Sequence, residues 1–147
     1  MVDMSGQAEQ TRLLALLFAD YAEVTTSGKA VVAGVFDQLL YQSGVASPFY
    51  IYARIVQSAP ETVMVSILNP TGIKLGEMIL KPPDGFVPKE TPYYMQIAAR
   101  SAVLFAEPGL YWFDVTCGGE RLGLVPLRIG IAPEETDGST NGSTNNE

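Results

Sequence analysis

The chain has 147 residues, enough for one domain with a buried core, of which 47% are apolar and 17% charged. More than half of its net charge of −7 lies at the far end: without Glu134, Glu135, Asp137 and Glu147, 12 acidic residues face 9 basic ones. That balance supplies no basic stripe for nucleic acid, one cysteine excludes an internal disulfide framework, and the lack of histidine removes Ser-His-Asp and Cys-His chemistry with the commonest metal ligand.

The opening "MVDMSGQAEQTR" has two acids and one Arg, the wrong character for the start of a signal peptide. The apolar run "LLALLFA" (13–19) that follows is too short to span a bilayer and breaks at Asp20. It reads as a buried strand, Leu13–Val24, and neither secretion nor a membrane span is expected. "TTSGK" turns the chain, with Gly28 free to take a positive φ, into Ala30–Leu40, rich in Val and Phe. "SGVASP" ends that run. Phe49–Val56 follows, then "SAPE", Thr62–Leu68, the tight turn "NPTG" and Ile73–Lys81.

"KPPDGFVPKETP" (81–92) contains four prolines, so it is no central strand or helix interior; it is expected to cross from one sheet to another. Tyr93–Phe105 resumes the strands. Its "MQIAARSAVL" (95–104) would suit a helix by composition, and is read as strand because its neighbours are strands. Pro108-Gly109 then turns into a closing hairpin. Turn signals every 8 to 15 residues or so predict an all-β fold, a single-domain antiparallel β-sandwich of about seven to eight strands. That domain spans 13–131, with 1–12 a flexible segment. Residues 132–147 form an acidic, polar tail expected to be disordered, since "PEETDGSTNGSTNNE" cannot offset the entropy of ordering.

The closing hairpin has two candidate registers. A two-residue Gly118-Gly119 turn puts Phe113 opposite Leu124 and mixes apolar residues onto both faces. A three-residue loop, Gly118 to Glu120, gathers Tyr111, Phe113, Val115, Val125, Leu127 and Ile129 on one face, and is preferred. It leaves Trp112, Leu122, Leu124 and Pro126 together on the other. Pro126, lacking a donor, suits an edge strand.

"FADYAEVTTSGKAVVAGVFDQL" (18–39) and "PGLYWFDVTCGGERLGLVPLRI" (108–129) together resemble an uncharacterised bacterial family, a domain of unknown function. Its members carry Gly-Lys and Gly-Val-Phe in a first hairpin and close with Pro-Gly-x-Tyr, Gly-x-x-x-Gly and Val-Pro-Leu. The likeness covers about Leu13 to Ile131, and its motifs are structural: Gly28, Gly34-Val35-Phe36 and Pro108-Gly109. It implies a β-sandwich and defines no activity and no functional residue.

Reactive side chains are few. Cys117 would need a cationic neighbour or a helix N-terminus to become a thiolate; on the face of Phe113 and Val115 it reads as a small buried hydrophobe. Asp20, Glu23, Asp37, Asp84, Asp114 and Glu120 are the carboxylates available for acid–base work, which needs two of them facing across a cleft. Asp37 and Asp84-Gly85 also read as strand-end and turn residues, and no calcium-loop pattern is present. "TCGGERLG" lacks the Lys-Ser/Thr of a phosphate loop. No catalytic residue, metal or cofactor is expected.

Both strand parities are apolar in places: Tyr50, Tyr52, Met64, Leu68, Met78, Leu80, Trp112 and Leu124 fall on the second. Outer faces of that kind are either covered by the chain or are partner surfaces. Trp112, Leu122, Leu124 and Pro126 are the candidate interface, for a second copy of the chain or another protein, unless the 82–92 segment seals them. The function expected is a non-catalytic interaction or assembly module that self-associates. The alternative is a carboxylate-dependent carbohydrate-active enzyme or carbohydrate-binding module. Nucleic acid and membrane are not expected partners, and the unpaired cysteine suits the cytoplasm.

Overall fold

The computed structural model describes residues 11–81, 90 and 92–133. Among them are nine strands and no helix: β1 (Arg12–Val24), β2 (Ala30–Phe36), β3 (Gln38–Tyr41), β4 (Ser47–Gln57), β5 (Val63–Leu68), β6 (Lys74–Leu80), β7 (Tyr93–Val103), β8 (Gly109–Cys117) and β9 (Glu120–Ile131). None of the chain is therefore a helix long and apolar enough to cross a membrane, within the described residues. The strands form a four-stranded sheet, β2-β1-β4-β7, and a five-stranded sheet, β3-β9-β8-β5-β6.

Alternation builds the core between them. Phe49, Ile51, Ala53 and Ile55 point inward from β4, and Tyr111, Phe113, Val115 and Cys117 from β8. At the centre Phe18 meets Phe113 edge-on, with ring centroids 4.7 Å apart, and Phe49 lies 6.1 Å from both. Phe36 completes this knot at 6.4 Å from Phe18 and Phe49. The Tyr111 hydroxyl donates to the Glu107 carbonyl at 2.6 Å, pinning the corner where the chain enters β8. The helix-compatible segment is indeed strand: β7 pairs with β4 from Ser47↔Val103 to Gln57↔Tyr93, which buries Met95 and Ile97.

Three details differ from expectation. The run 30–40 is not one strand. It breaks at Asp37, where the chain passes from β2 in the four-stranded sheet to β3 in the other. Phe36 and Leu39 both pack against the core but are three residues apart, an odd spacing that a single strand cannot bury on one side. Because β3 runs parallel to β9, from Gln38↔Arg128 to Tyr41↔Ile131, the sandwich is not wholly antiparallel.

The closing hairpin combines both candidate registers. Its turn is the two-residue one, with Cys117 opposite Glu120 and positive φ at Gly118 and Gly119 (59° and 85°). A bulge between Val115 and Thr116 then shifts the ladder by one residue, giving Phe113↔Val125 and Tyr111↔Leu127 as the apolar pattern requires. Leu122 is the residue left over, and it packs against the core instead of sharing the outer face. Met78 and Leu80 also face inward; on β6 it is Leu75 and Ile79 that are exposed.

The third detail explains the outward tyrosines. The β1–β4 ladder ends at Ala19↔Tyr50, and beyond it the β1–β2 ribbon bends over the outer face of β4 and β7. Gln96 lies in the row of Arg54 and Ala15, yet its Nε2 donates to the Gly28 carbonyl at 2.7 Å. A straight β1 would hold Gly28 about 40 Å from that row. Tyr52 donates to Gln96 Oε1 at 2.5 Å, and the Tyr21 and Tyr50 rings sit 5.4 Å apart. The bend occurs at Gly34, φ +72°, whose missing Cβ makes room for Asp20: a Cβ would fall 2.3 Å from Asp20 Oδ2.

β6 and β7 lie in different sheets, so their connection does join the two. Residues 82–89 and 91, with Asp84, lie outside the described residues, as do 1–10 and 134–147.

Gln96→Ala removes the hydrogen bond that fastens the arm at the Gly28 carbonyl and the Tyr52 bond that orients the Gln96 amide. Amide hydrogen exchange should accelerate across 21–32 and remain unchanged in β4 and β8, at a stability cost of about 1 kcal/mol. Gly34→Val forces a branched residue to positive φ and should cost about 1–3 kcal/mol in chemical denaturation.

Candidate functional site

The crossing at Asp37 opens one side of the sandwich. β2 pairs with β1 only from Phe18↔Phe36 to Val24↔Ala30, and β3 reaches β9 only from Arg128 onward. Arg12–Leu17 of β1 and 120–127 of β9 are thus each left with one strand edge unpaired, among the described residues. Between these edges lies a hollow of about 290 Å³, lined by Leu17, Val35, Phe36, Asp37, Val125 and Pro126 among others. A second hollow of about 250 Å³ adjoins it, lined by Asp37, Gln38, Leu110, Pro126 and Arg128. Asp37 and Pro126 belong to both. Leu13 packs so close to Gly123 that a Cβ there would meet its Cδ2 at 2.9 Å.

The groove continues around Pro126 onto the outer face of the hairpin. Trp112 lies opposite Pro126 on one side and Leu68 on the other, and Asp114 lies opposite Leu124. Trp112 is half-buried, Leu124 is 39% exposed and Pro126 is exposed. Of the four interface candidates, three therefore share a surface; the bulge takes Leu122 away. Sequence reasoning missed Leu17, Val35 and Val125, because it took 30–40 as one unbroken strand.

The carboxylates are scattered over the arm, the crossing and the hairpin. Asp20 rests against Gly34, and Glu23 accepts a hydrogen bond from Tyr21 at 2.5 Å. Asp114 takes two bonds from Arg121, Nε to Oδ1 at 2.9 Å and Nη2 to Oδ2 at 3.1 Å, and these hold the guanidinium pKa above its usual value. Glu120 stands exposed at the hairpin tip. Asp37 alone lines the groove. No group of three His, Cys, Asp or Glu side chains that could hold a metal occurs among the described residues.

Cys117 is buried, but it is more than a hydrophobe. Its Sγ donates to Glu61 Oε2 at 3.0 Å, and Thr11 donates to the same oxygen at 3.3 Å. Gln57, a buried polar side chain, bonds the Glu61 carbonyl at 3.0 Å and accepts from the Tyr93 hydroxyl at 3.2 Å. Burial first, and then the Glu61 carboxylate, push the Cys117 thiol and the Tyr93 phenol above their ordinary values. A thiol held neutral beside an acid is a poor nucleophile. No local sequence signal links Thr11, Gln57, Glu61, Tyr93 and Cys117; the two sheets bring them together.

A family model matches residues 14–130, from the start of β1 almost to the end of β9. The chain belongs to DUF6941, a family of unknown function. Both hairpins, the crossing at Asp37 and the groove fall within the matched span. No curated protein matches the chain. Among solved structures it is similar to Pseudomonas fluorescens alkylpurine DNA glycosylase AlkC bound to DNA containing an abasic site analog, at 15% identity and a TM-score of 0.46. That likeness covers 83% of this chain and spans 31% of the other.

Cys117 of the folded protein should react slowly with a maleimide at neutral pH, measured against the denatured chain. Raised folded pKa values stabilise the fold below the ordinary values, 9.0 for the thiol and 10.0 for the phenol, and that contribution is lost as pH rises past them. Melting temperature should therefore fall above that range. Cys117→Ser keeps a donor for Glu61 and should cost about 1 kcal/mol or less, whereas Cys117→Val should cost more.

Proposed function

We propose that this DUF6941 domain is a non-catalytic interaction module that assembles with copies of itself through its open side, the groove at Asp37 and the adjoining face of Trp112, Leu124 and Pro126. The observation that carries this reading is the contrast between the two outer faces. The chain's own β1–β2 ribbon covers Tyr50 and Tyr52 of the four-stranded sheet, though Tyr94 there stays exposed, while half-buried Trp112 and exposed Leu124 and Pro126 gain no such cover from the described residues. Tryptophan at the margin of an apolar groove removes much area from water at little rotamer cost on association. Two strand edges beside it add backbone groups that have no strand partner among the described residues.

An enzyme with two facing carboxylates draws little support, since Asp37 is the one acid that lines either hollow. We place the module in the cytoplasm, where the single free thiol stays reduced.

Sedimentation velocity tests the reading. The wild-type chain should sediment as a dimer or larger particle at micromolar concentrations. Trp112→Ala combined with Leu124→Ser should give a smaller particle with its far-ultraviolet circular dichroism unchanged. A wild-type chain that remains monomeric at the highest attainable concentration would overturn self-assembly.

A further inference from the structure

We propose that Arg12, Arg54 and Lys29, gathered around the exposed ring of Tyr94, form a docking site for an acidic peptide segment, and that its occupant is the acidic run 134–137 of a second copy of the chain. This contact between copies is separate from the groove and the hairpin face and does not depend on them.

The site lies where the β1–β2 arm stops short. On the outer face of the four-stranded sheet Arg12 stands opposite Val56, and Val56 opposite Tyr94; in the next row Ala15, Arg54 and Gln96 lie side by side. Tyr52 is 8% exposed, whereas Tyr94 is 60% exposed. The Arg54 guanidinium lies over the Tyr94 ring, 5.6 Å from its centroid. Lys29 is carried to the same rows, because the carbonyl of Gly28 before it is bonded to Gln96.

These cations are uncompensated. All three are exposed, and none has an ion-pair partner among the described residues. Glu23 on the arm and Glu61 beside Thr11 serve other donors, Tyr21 in the first case and Thr11 and Cys117 in the second. On the other sheet Lys74 and Arg121 are already paired, with Glu77 and Asp114. A chain of net charge −7 thus presents a cationic patch with an aromatic centre. Its chemistry selects carboxylates, which a guanidinium can take through two parallel hydrogen bonds.

Reach selects a second copy as the source. The chain's densest run of acids without a neighbouring base is "PEETD" (133–137), with Glu134, Glu135 and Asp137. It leaves the fold at the far end from the patch. Leu13, next to Arg12, packs against Gly123, and β9 continues for eight residues beyond Gly123 to Ile131, after which the Ala132 amide donates to the Tyr41 carbonyl. Eight residues of strand span about 27 Å, and stacked sheets lie about 10 Å apart. Glu134 and Glu135 are three and four residues past Ile131, at most about 14 Å from it, and fall short of the patch on their own chain. Because run and patch sit at opposite ends, two copies placed antiparallel about a two-fold axis exchange both.

Peptide binding to the full-length chain tests the site. A fluorescein-labelled peptide of residues 133–147 should bind saturably by anisotropy at low salt, and more weakly as salt rises. Arg12→Glu combined with Arg54→Glu should weaken binding about tenfold or more, whereas Lys74→Glu, on the other sheet, should leave it within about twofold. A peptide carrying Glu134→Lys, Glu135→Lys and Asp137→Lys should bind the Arg12→Glu, Arg54→Glu chain instead, which also shows that chain to be folded. A wild-type chain that leaves the peptide free at millimolar concentration, or binding that the Arg12 and Arg54 reversals do not weaken, overturns the site. If that result accompanies a smaller particle for the Trp112 and Leu124 substitutions, the tail contact fails and assembly through the hairpin face stands. If the peptide binds as described and those substitutions leave particle size unchanged, the tail contact stands and the hairpin face fails.

Discussion

The structure depends on how one short stretch serves two sheets. Phe36 is the last residue of β2 and is wedged among Phe18 and Phe49; two residues later Gln38 already pairs with β9 in the other sheet. The Asp37 carbonyl accepts the Arg128 amide at 3.1 Å, so the crossing residue is itself tied to the second sheet. Buried aromatic surface on one side of the crossing and a backbone hydrogen bond on the other leave it little freedom. By occupying neither edge over its full length, the crossing closes one end of the sandwich and leaves the other open. The groove is a consequence of that division.

The two outer faces are then treated differently. The part of the four-stranded sheet around Tyr50 and Tyr52 is shielded by the chain itself: the β1–β2 ribbon bends at Gly34 and is fastened by Gln96 to the Gly28 carbonyl. Ala19, although it points away from the sandwich core, is fully buried as a result. On the five-stranded sheet, Asp114 and Arg121 form an ion pair beside Trp112 and Leu124. An exposed pair of this kind contributes little to stability. It leaves the Asp114 carboxylate compensated by Arg121 next to these apolar side chains. Buried polarity is confined to another place, around Gln57, where no buried side-chain nitrogen or oxygen among the described residues lacks a partner. That cluster joins Thr11, β4, Glu61, β7 and β8, and its neutral thiol and phenol suit a structural tie.

Much of the fold was legible from local pattern, because burial on a strand repeats every second residue. The strands β1 and β4 to β9 follow from that repeat and from the turn residues between them. The apolar pattern also selected the ladder Phe113↔Val125, while the glycines independently demanded a two-residue turn. These two signals conflict by one residue. Local reasoning could satisfy one of them, and the folded hairpin satisfies both by leaving Leu122 unpaired in a bulge, packed against the core. The place where sequence rules disagreed is where the structure carries an irregularity.

The sequence by itself determined the all-β class, the strand positions and a buried Cys117, since each depends on the alternation and turn chemistry of neighbouring residues. It also led to a family of unknown function through the glycine and proline turns of its two hairpins. Only the tertiary structure decided that 30–41 divides between sheets, that the β1–β2 ribbon folds over Tyr50 and Tyr52, and that Asp37 borders the two hollows of the groove. Those facts depend on contacts between residues far apart in the chain, such as Gln96 with Gly28 and Phe36 with Phe49. A period-two pattern says which side of a strand is buried. It carries no information about which strand, or which copy of the chain, lies beside it.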